Sequence, residues 1–390
     1  MFFIILAVFL SLSLIVFFHE FGHFIFCQIF FVRVEEFGFG YAPRMIGLVK
    51  RDGKWKVFFG KQVPKGEELG TIYSLNWIPF GGFNRIKGEI GEERIESDSF
   101  AAKPWWQRSI IALGGVFFNI ILTLLLFTFV FIVGSYQVLP EGQKVMAQDV
   151  FLQVVEVIEN SPAKEAGLRL GDKILAVDGK RVDEVSAFQN YVKDKLGLPI
   201  KLIIKRGDKL LEIENVPLLA QEIFEDKTMS GAAIGIALVK VGRVSYRPFS
   251  AFWQAIKKTG LLFYQIVATI AGILKDLFIG QRVNVEVVGV VGLAALTGKI
   301  AQMGFVYLLQ FVAIISLLIA FTQLIPFPAI DGGRIVFFIL EGIRRKPIDR
   351  KIEAAINNIG FVALIILMLL ITYQDITRLG SGFFDKILSQ

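Results

Sequence analysis

The sequence contains one cysteine, Cys27, and two histidines among 390 residues. A single cysteine excludes an internal disulfide framework. The chain also lacks a large block of charge of one sign, because its 42 Lys and Arg are interspersed with 35 Asp and Glu. This dispersal excludes a nucleic-acid-binding surface despite a pI of about 9.3. No internal repeat or low-complexity tract stands out.

Apolar sequence is abundant, with 54% hydrophobic residues and a mean hydropathy of +0.60. Four runs are almost free of charge: 2–31, 109–134, 304–330 and 357–374. Each approaches or exceeds the roughly 20 residues that cross a hydrocarbon core about 30 Å thick. We therefore predict a polytopic α-helical membrane protein with about four transmembrane helices in a lipid bilayer.

The first run, within residues 1–31, differs from a cleaved signal peptide. It lacks a basic n-region and a small-residue cleavage site, and it exceeds an h-region of about 7–15 residues. We expect a retained transmembrane helix.

The basic residues predict the orientation in the membrane. The short connection 331–356 carries 6 Lys and Arg against 4 Asp and Glu, and short basic loops stay in the cytoplasm. Counting back through four helices places 32–108 in the cytoplasm and 135–303 outside. Both termini are then extracytoplasmic.

The cytoplasmic-side segment 32–108 contains the stretch "TIYSLNWIPFGGFNRIKGE" at 71–89. Its strand-forming residues, proline and Gly-Gly pair favour a hairpin or a bent extended segment. The apolar half could enter the membrane, where irregular backbone is tolerated only against protein or a wet cavity. A hairpin on the surface is the alternative.

Residues 150–220 have the pattern of a separate β-rich module. "NSPAKEAGLRLGD" offers Ser161 as an N-cap and Pro162 at the first helical position, and an Asp-Gly turn and a second hairpin follow. The stretch "SPAKEAGLRLGDKILAVDGKRV" resembles a PDZ domain of the circularly arranged bacterial type. Such domains bind extended peptides, including C-termini, at a sheet edge. A small β-rich domain without a ligand is the alternative.

Residues 245–282 mix aromatic and apolar side chains with lysines. We predict an amphipathic helix that lies at the outer membrane interface, because its charges interrupt it too often for it to span comfortably. A fifth transmembrane helix is the alternative, and it would change the topology.

The ionisable residues of the first apolar run form the motif "HEFGH" at 19–23. On a helix, residues four apart share one face, so His19 and His23 can reach a single ion. Ionisable groups in a membrane helix are costly and by default indicate function. We predict a zinc-type site with Glu20 as the general base. Alternatively, the histidines only form hydrogen bonds inside a helix bundle.

This motif leaves a third protein ligand to be found. Cys27 lies eight residues after His19, and that length of helix rises about 12 Å, so we expect a small buried side chain instead. Asp331 is the better candidate, because it borders the third apolar run within "PFPAIDGGR". Prolines break the helix before it, and Gly332-Gly333 lets backbone approach closely. A helix-ending turn at the cytoplasmic surface is the alternative.

Taken with the PDZ-like module, "HEFGH" and "PFPAIDGG" resemble the site-2 proteases, and among them the bacterial branch typified by the regulator-of-sigma-E protease. "IPFGGF" at 78–83 is similar to a family loop taken to be a re-entrant β-hairpin. "KPWWQRSIIALGGVFFN" at 103–119 and "VGVVGL" at 288–293 are similar to motifs of the second helix and of the segment before the third. The resemblance runs nearly end to end. It implies a zinc metalloprotease that cuts within the membrane.

The resemblance also implies roles for single residues. One Zn²⁺ per chain would be held by His19, His23 and Asp331, with Glu20 as the catalytic acid and base. The substrate-binding candidates are Gly81, Gly82, Asn119 and Gln323.

Three features depart from the family pattern. Gly114-Gly115 and Gly289-Val290 stand where Gly-Pro is usual, and Gln323 stands where asparagine is usual. The chain has one PDZ-like module, whereas some relatives have two.

The predicted fold is thus a bundle of about four transmembrane helices with a re-entrant β-hairpin and an inserted PDZ-like extracytoplasmic domain. The predicted location is the bacterial inner membrane. Expected partners are transmembrane proteins already cut by an extracytoplasmic protease, such as anti-sigma factors or signal-peptide remnants, and a peptide or C-terminus at the PDZ-like domain. One alternative is a membrane metallopeptidase that cuts soluble or prenylated proteins. Another is a non-proteolytic scaffold with a structural metal.

Overall fold

The computed structural model describes residues 2–51, 53–60, 70–89, 96–140, 147–158, 160–207, 209–224, 231–280 and 288–379. The chain forms two compact units. We call Met1–Val130 with Pro248–Thr377 the membrane unit, and Phe131–Arg247 with Arg378–Gln390 the β unit.

Helices dominate the membrane unit. They are α1 (Phe2–Ile29), α2 (Trp105–Val133, which ends in the β unit), α6 (Pro248–Phe278), α7 (Val290–Met303), α8 (Phe305–Thr322), α9 (Asp331–Arg344) and α10 (Arg350–Leu379). A 3₁₀ turn at Phe100–Ala102 precedes α2.

Five stretches of these helices are long and apolar enough to cross a membrane: Val8–Ile29, Trp105–Val133, Pro248–Phe278, Phe305–Thr322 and Lys351–Thr377. The protein is therefore a membrane protein. Four of the five fall on the predicted runs, although α8 ends at Thr322, eight residues before the predicted end at 330. The fifth is α6, for which the sequence predicted an interfacial helix, so the count of four stays a prediction.

The loop after α1 folds into a small sheet of β1 (Val34–Arg51), β2 (Lys54–Phe59) and β3 (Ile72–Ile86), in the order β2-β1-β3. Strand β3 bends, because Gly38 is paired with both Ser74 and Phe83, and β1 bends, because Ser74 is paired with both Gly38 and Gly47. The first half of β1 therefore lies between the two halves of β3. The stretch 71–89 is thus a bent extended segment that packs on α1, where Gly81 meets Val16.

An apolar cluster joins this sheet to the end of α1 and to the starts of α2 and α9. Its members include Phe24, Cys27, Val34, Ile111 and Phe338. Cys27 is fully buried there, as expected for a small hydrophobic side chain.

The β unit has a main antiparallel sheet, a second sheet of two short strands, and short helices. Its elements are β4 (Ser135–Val138), β5 (Gln148–Val157), α3 (Pro162–Glu165), β6 (Lys173–Val177), β7 (Lys180–Arg181), α4 (Val185–Lys193), β8 (Ile200–Arg206), β9 (Lys209–Asn215), β10 (Leu218–Leu219), α5 (Ala220–Phe224), β11 (Ala232–Ala233) and β12 (Ile236–Val244). The main sheet has the order β4-β12-β5-β6-β8-β9, with β7 paired to β6.

The predicted cap of α3 is confirmed, since the Ser161 side chain accepts a hydrogen bond from the Lys164 backbone N–H. The unit extends beyond the predicted bounds 150–220. Its sheet needs β12, which pairs with β5 on one side and with β4 on the other. Pairing between strands about a hundred residues apart leaves no local signal in the sequence.

Candidate active site

Helix α1 presents both histidines on one face. The Nε2 atoms of His19 and His23 lie 3.2 Å apart, as the i, i+4 spacing requires. Both residues are buried. Buried imidazoles with converging nitrogens are suited to hold a cation.

Asp331 completes a cluster of three possible ligands. Its Oδ2 lies 3.0 Å from His19 Nε2 and 3.4 Å from His23 Nε2, and one ligand atom from each residue lies within 4.8 Å of the others. Zinc binds such atoms at about 2.0–2.2 Å in a tetrahedron, which puts neighbouring ligands roughly 3.3 Å apart. Two imidazoles and a carboxylate therefore fit zinc in both chemistry and spacing, with a fourth position left for water or substrate.

The carboxylate of Asp331 is suited to be an anionic ligand. Burial alone would raise the pKa of Asp331, but the hydrogen bonds with His19 and His23 hold it well below its usual range. The group is therefore ionised at neutral pH.

The break between α8 and α9 carries Asp331 to the histidines. The Gly332 backbone N–H donates to the Gln323 carbonyl at 2.8 Å. A Cβ on Gly332 would lie 2.2 Å from the Ile325 carbonyl oxygen, and one on Gly333 would lie 2.1 Å from that of Phe327. Only glycines let this turn fold so tightly, as the sequence predicted.

A hydrogen bond behind each histidine fixes its orientation. His23 Nδ1 lies 2.8 Å from the Ile111 carbonyl oxygen, so Nδ1–H donates there and Nε2 is free for a metal. The Asn119 amide lies 3.4 Å from His19 Nδ1. The amide atom at this distance is Nδ2. A metal-binding Nε2 needs its proton on Nδ1, and a 180° rotation of the Asn119 amide would present Oδ1, which is buried without a partner in the described chain, as the acceptor for it.

The glycines of α2 make room for this site. A Cβ on Gly115 would meet the His19 ring at 2.4 Å, and a Cβ on Gly22 of α1 would meet the Gly114 carbonyl oxygen at 2.1 Å. Helices α1 and α2 thus approach to backbone contact beside His19. The Gly114-Gly115 pair, noted as a departure from Gly-Pro, supplies the small residues that this approach needs.

Glu20 faces the same cavity as the three ligand candidates, a space of about 360 Å³. Its Oε2 accepts a hydrogen bond of 3.0 Å from Asn84 Nδ2 on β3. A carboxylate beside a metal-ligand cluster has the position of a general base.

The four substrate-binding candidates lie in different places. Gly82 and Gln323 line the cavity, and the Gln323 Oε1 is buried without a partner in the described chain. Gly81 packs against Val16, and its N–H donates to the Ser13 hydroxyl. Asn119 is fully buried and contacts His19. We therefore expect it to orient that ligand.

The cavity is also lined by Asn84, Glu89 and Arg334, which were not predicted from the sequence. Arg334 pairs with Glu89. Burial would lower the pKa of Arg334, but Glu89 raises it above its usual range. Arg334 follows Asp331 by one helical turn. This spacing could have indicated that Arg334 lines the same cavity as Asp331. Nothing near Asn84 in sequence indicated that it would meet Glu20.

Comparison with known proteins places the chain among peptidases. The profile of Peptidase family M50 matches residues 7–61 and 53–367. CPE1693 of Clostridium perfringens is 32% identical over 368 residues, which cover 94% of this chain and 96% of that protein. The zinc metalloprotease RasP of Geobacillus kaustophilus is 27% identical over 444 residues, covering 93% and 95%.

A solved PDZ domain of an SdrC-like protein from Listeria monocytogenes also matches. It is 29% identical, covers 25% of this chain and 93% of that one, and has a TM-score of 0.21.

Proposed function

Since this chain belongs to Peptidase family M50, the site-2 proteases, and is therefore an intramembrane zinc metalloprotease, we propose that His19, His23 and Asp331 hold its zinc. Glu20 is then the catalytic base. The observation that supports this assignment is the convergence of the three ligand atoms within 4.8 Å on the cavity that Glu20 lines.

The site explains how a peptide bond is cut. A bound zinc ion would lower the pKa of its water toward neutrality and polarise the scissile carbonyl. Glu20 takes the proton of the attacking water and returns it to the leaving amine. Asn119 and the Ile111 carbonyl hold the imidazoles in the tautomer that this chemistry needs.

The substrate is a membrane-spanning segment that has to be opened before it is cut. A helix hides its amides in hydrogen bonds, and within lipid these must find new partners when it unwinds. The half of β3 at 82–86 pairs with β1 along one edge, and its residues Gly82, Phe83 and Asn84 line the cavity. The opened peptide pairs with the other edge of this half.

The bend of β3 supports the membrane-embedded hairpin. Trp77 and Ile78 at the bend are 64% and 51% exposed. Large apolar side chains so exposed indicate contact with lipid.

Four spans agree best with the contacts of the membrane unit. Ile111, near the start of α2, and Asn357, near the start of α10, both lie at the metal-site end, where they contact His23 and the Ala329 backbone. At the opposite end of α10, Asp375 accepts hydrogen bonds from the N–H groups at the start of α7.

The chain therefore leaves α2 and enters α7 on the same side, away from the metal site. If α6 crossed the membrane and α7 did not, the end of α2 and the start of α7 would lie on opposite sides of the membrane. Helix α7 has 14 residues, or about 21 Å, which is short of a hydrocarbon core of about 30 Å. We therefore place α6 at the interface.

The bacterial relatives support a bacterial inner membrane, and the basic 331–356 connection favours the cytoplasm for the metal-site end. The β unit is then extracytoplasmic. We assign it as a PDZ-like domain that binds a peptide or C-terminus. The stretch 161–182, which resembles a PDZ domain in sequence, forms its helix α3 and its strands β6 and β7. It admits substrates that an extracytoplasmic protease has already cut.

Replacing Glu20 tests the function. Glu20→Gln should lower cleavage by about 10²–10⁴-fold, while zinc content stays at one per chain because a base is not a ligand. Glu35→Gln, at an exposed position of β1, is the matched control and should cleave normally. Mass spectrometry of membrane-protein fragments from cells with either enzyme would identify the substrate. Undiminished cleavage by Glu20→Gln would refute the assignment.

A further inference from the structure

Asn84 holds the carboxylate of Glu20 from a different element of the fold. Its Nδ2 donates to Glu20 Oε2 at 3.0 Å and to the Glu20 backbone carbonyl at 2.5 Å. One amide thus contacts both the side chain and the main chain of the same residue. Because the backbone contact fixes the amide, the side-chain contact fixes the rotamer of the glutamate.

This arrangement constrains the base without competing with it. An amide nitrogen is a neutral donor that takes up no proton at neutral pH. It engages Oε2 and leaves Oε1 for proton transfer. A carboxylate at position 84 would instead repel Glu20, and an apolar side chain would leave Oε2 without this donor.

Stability alone does not account for an asparagine here. The Oδ1 of Asn84 is buried and has no partner in the described chain, and an unpaired buried acceptor is costly. Within the described residues, Asn76 on the same strand donates to Ser74 and to the Phe39 and Gly40 carbonyls of the sheet. Asn84 reaches out of the sheet to α1.

The position of Asn84 on β3 connects the base to the substrate. Gly82 and Phe83, directly before it, line the cavity, and this half of the strand is where the opened peptide pairs. We propose that Asn84 is a positioning residue that fixes Glu20 relative to β3. The base then keeps a fixed position relative to the peptide bound at this strand. The inference rests on the proposed function, in which Glu20 is the base.

Two substitutions test this role. Asn84→Leu removes the donor at similar size, and Asn84→Asp keeps the shape and replaces the donor by an acceptor. Both should lower kcat about 10- to 30-fold, with KM for a single-span test protein within twofold and with zinc content and thermal unfolding unchanged. Lys56→Leu, at an exposed position of β2 in the same sheet, is the control and should leave kcat unchanged.

Combination with Glu20→Gln separates positioning from a general structural effect. If Asn84 acts through Glu20, adding Asn84→Leu to Glu20→Gln should cause no further loss of the residual activity. A kcat equal to that of the wild type in both Asn84 variants would overturn the inference, as would a change confined to KM or a full additional loss in the double variant. Equal cleavage by the wild type and Glu20→Gln would instead refute the proposed function itself.

Discussion

His19 Nε2 and Asp331 Oδ2 lie 3.0 Å apart although 312 residues separate them along the chain. The contact joins a helix near the N-terminus to the turn after α8. Ionisable groups in an apolar environment are costly, and a shared ion would account for the proximity of these two residues.

Loss of Asp331 should therefore lower zinc binding. Removing a partner that only orients a ligand costs about 10–100-fold in metal affinity. Asp331→Ala, which removes a proposed ligand, should cost at least the upper end of that range. His23→Ala should behave alike. Elemental analysis of purified protein measures the occupancy, with Asp183→Ala, at an exposed position of the β unit, as control. Full zinc content in Asp331→Ala would place the third ligand elsewhere.

The sequence allowed the metal cluster to be predicted because its signals are local. "HEFGH" has helical spacing, and Asp331 interrupts an apolar run beside two prolines. The contact of Asn84 with Glu20 was not predictable, because it depends on how the bent β3 packs on α1. The pairing of Ser135 with Val244 was missed for the same reason: partners far apart in sequence are specified only by the folded chain.

Gly115 offers a test of the close approach between α1 and α2. Helix propensity alone would make Gly115→Ala stabilising by about 1 kcal/mol. However, the new Cβ would lie 2.4 Å from the His19 ring, so we expect the ring to be displaced and zinc occupancy and cleavage to fall. Gly272→Ala is the control, since a Cβ on this glycine of α6 meets nothing within 4 Å. Equal zinc content and activity in the two variants would show that His19 tolerates the methyl group.

The topology of α6 can be tested with single cysteines. In a Cys27→Ala background, Arg247→Cys and Gly280→Cys place a thiol at either end of α6, and Arg345→Cys marks the basic loop. If α6 lies at the outer interface, a membrane-impermeant maleimide added to sealed protoplasts or spheroplasts should label both ends and leave position 345 unlabelled. Labelling at 247 with protection at 280 would mean that α6 spans the membrane.

The part of the β unit between α2 and α6 has adjacent ends at which it can be removed. The Tyr246 backbone N–H donates to the Phe131 carbonyl at 2.9 Å, and Ser135 is paired with Val244. The two ends of the unit are therefore adjacent, and a Gly-Ser linker of about two to four residues can replace 135–244 without pulling α2 and α6 apart. Excision at the predicted bounds 150–220 would instead deprive β12 of its partner β5.

If the β unit screens substrates outside the membrane, a folded external domain on a substrate collides with it, whereas a trimmed stub passes. The excised enzyme should then cleave a single-span test protein that keeps its external domain, with little loss on the trimmed form. Zinc content and thermal unfolding show whether the remaining unit is folded, and the excised enzyme carrying Glu20→Gln is the inactive control. A folded, zinc-bound excised enzyme that still ignores the untrimmed protein would contradict the screening role. If the excised enzyme also fails to cleave the trimmed substrate, the β unit recruits substrates through its peptide groove. A unit that only excludes substrates would be dispensable once trimming is complete.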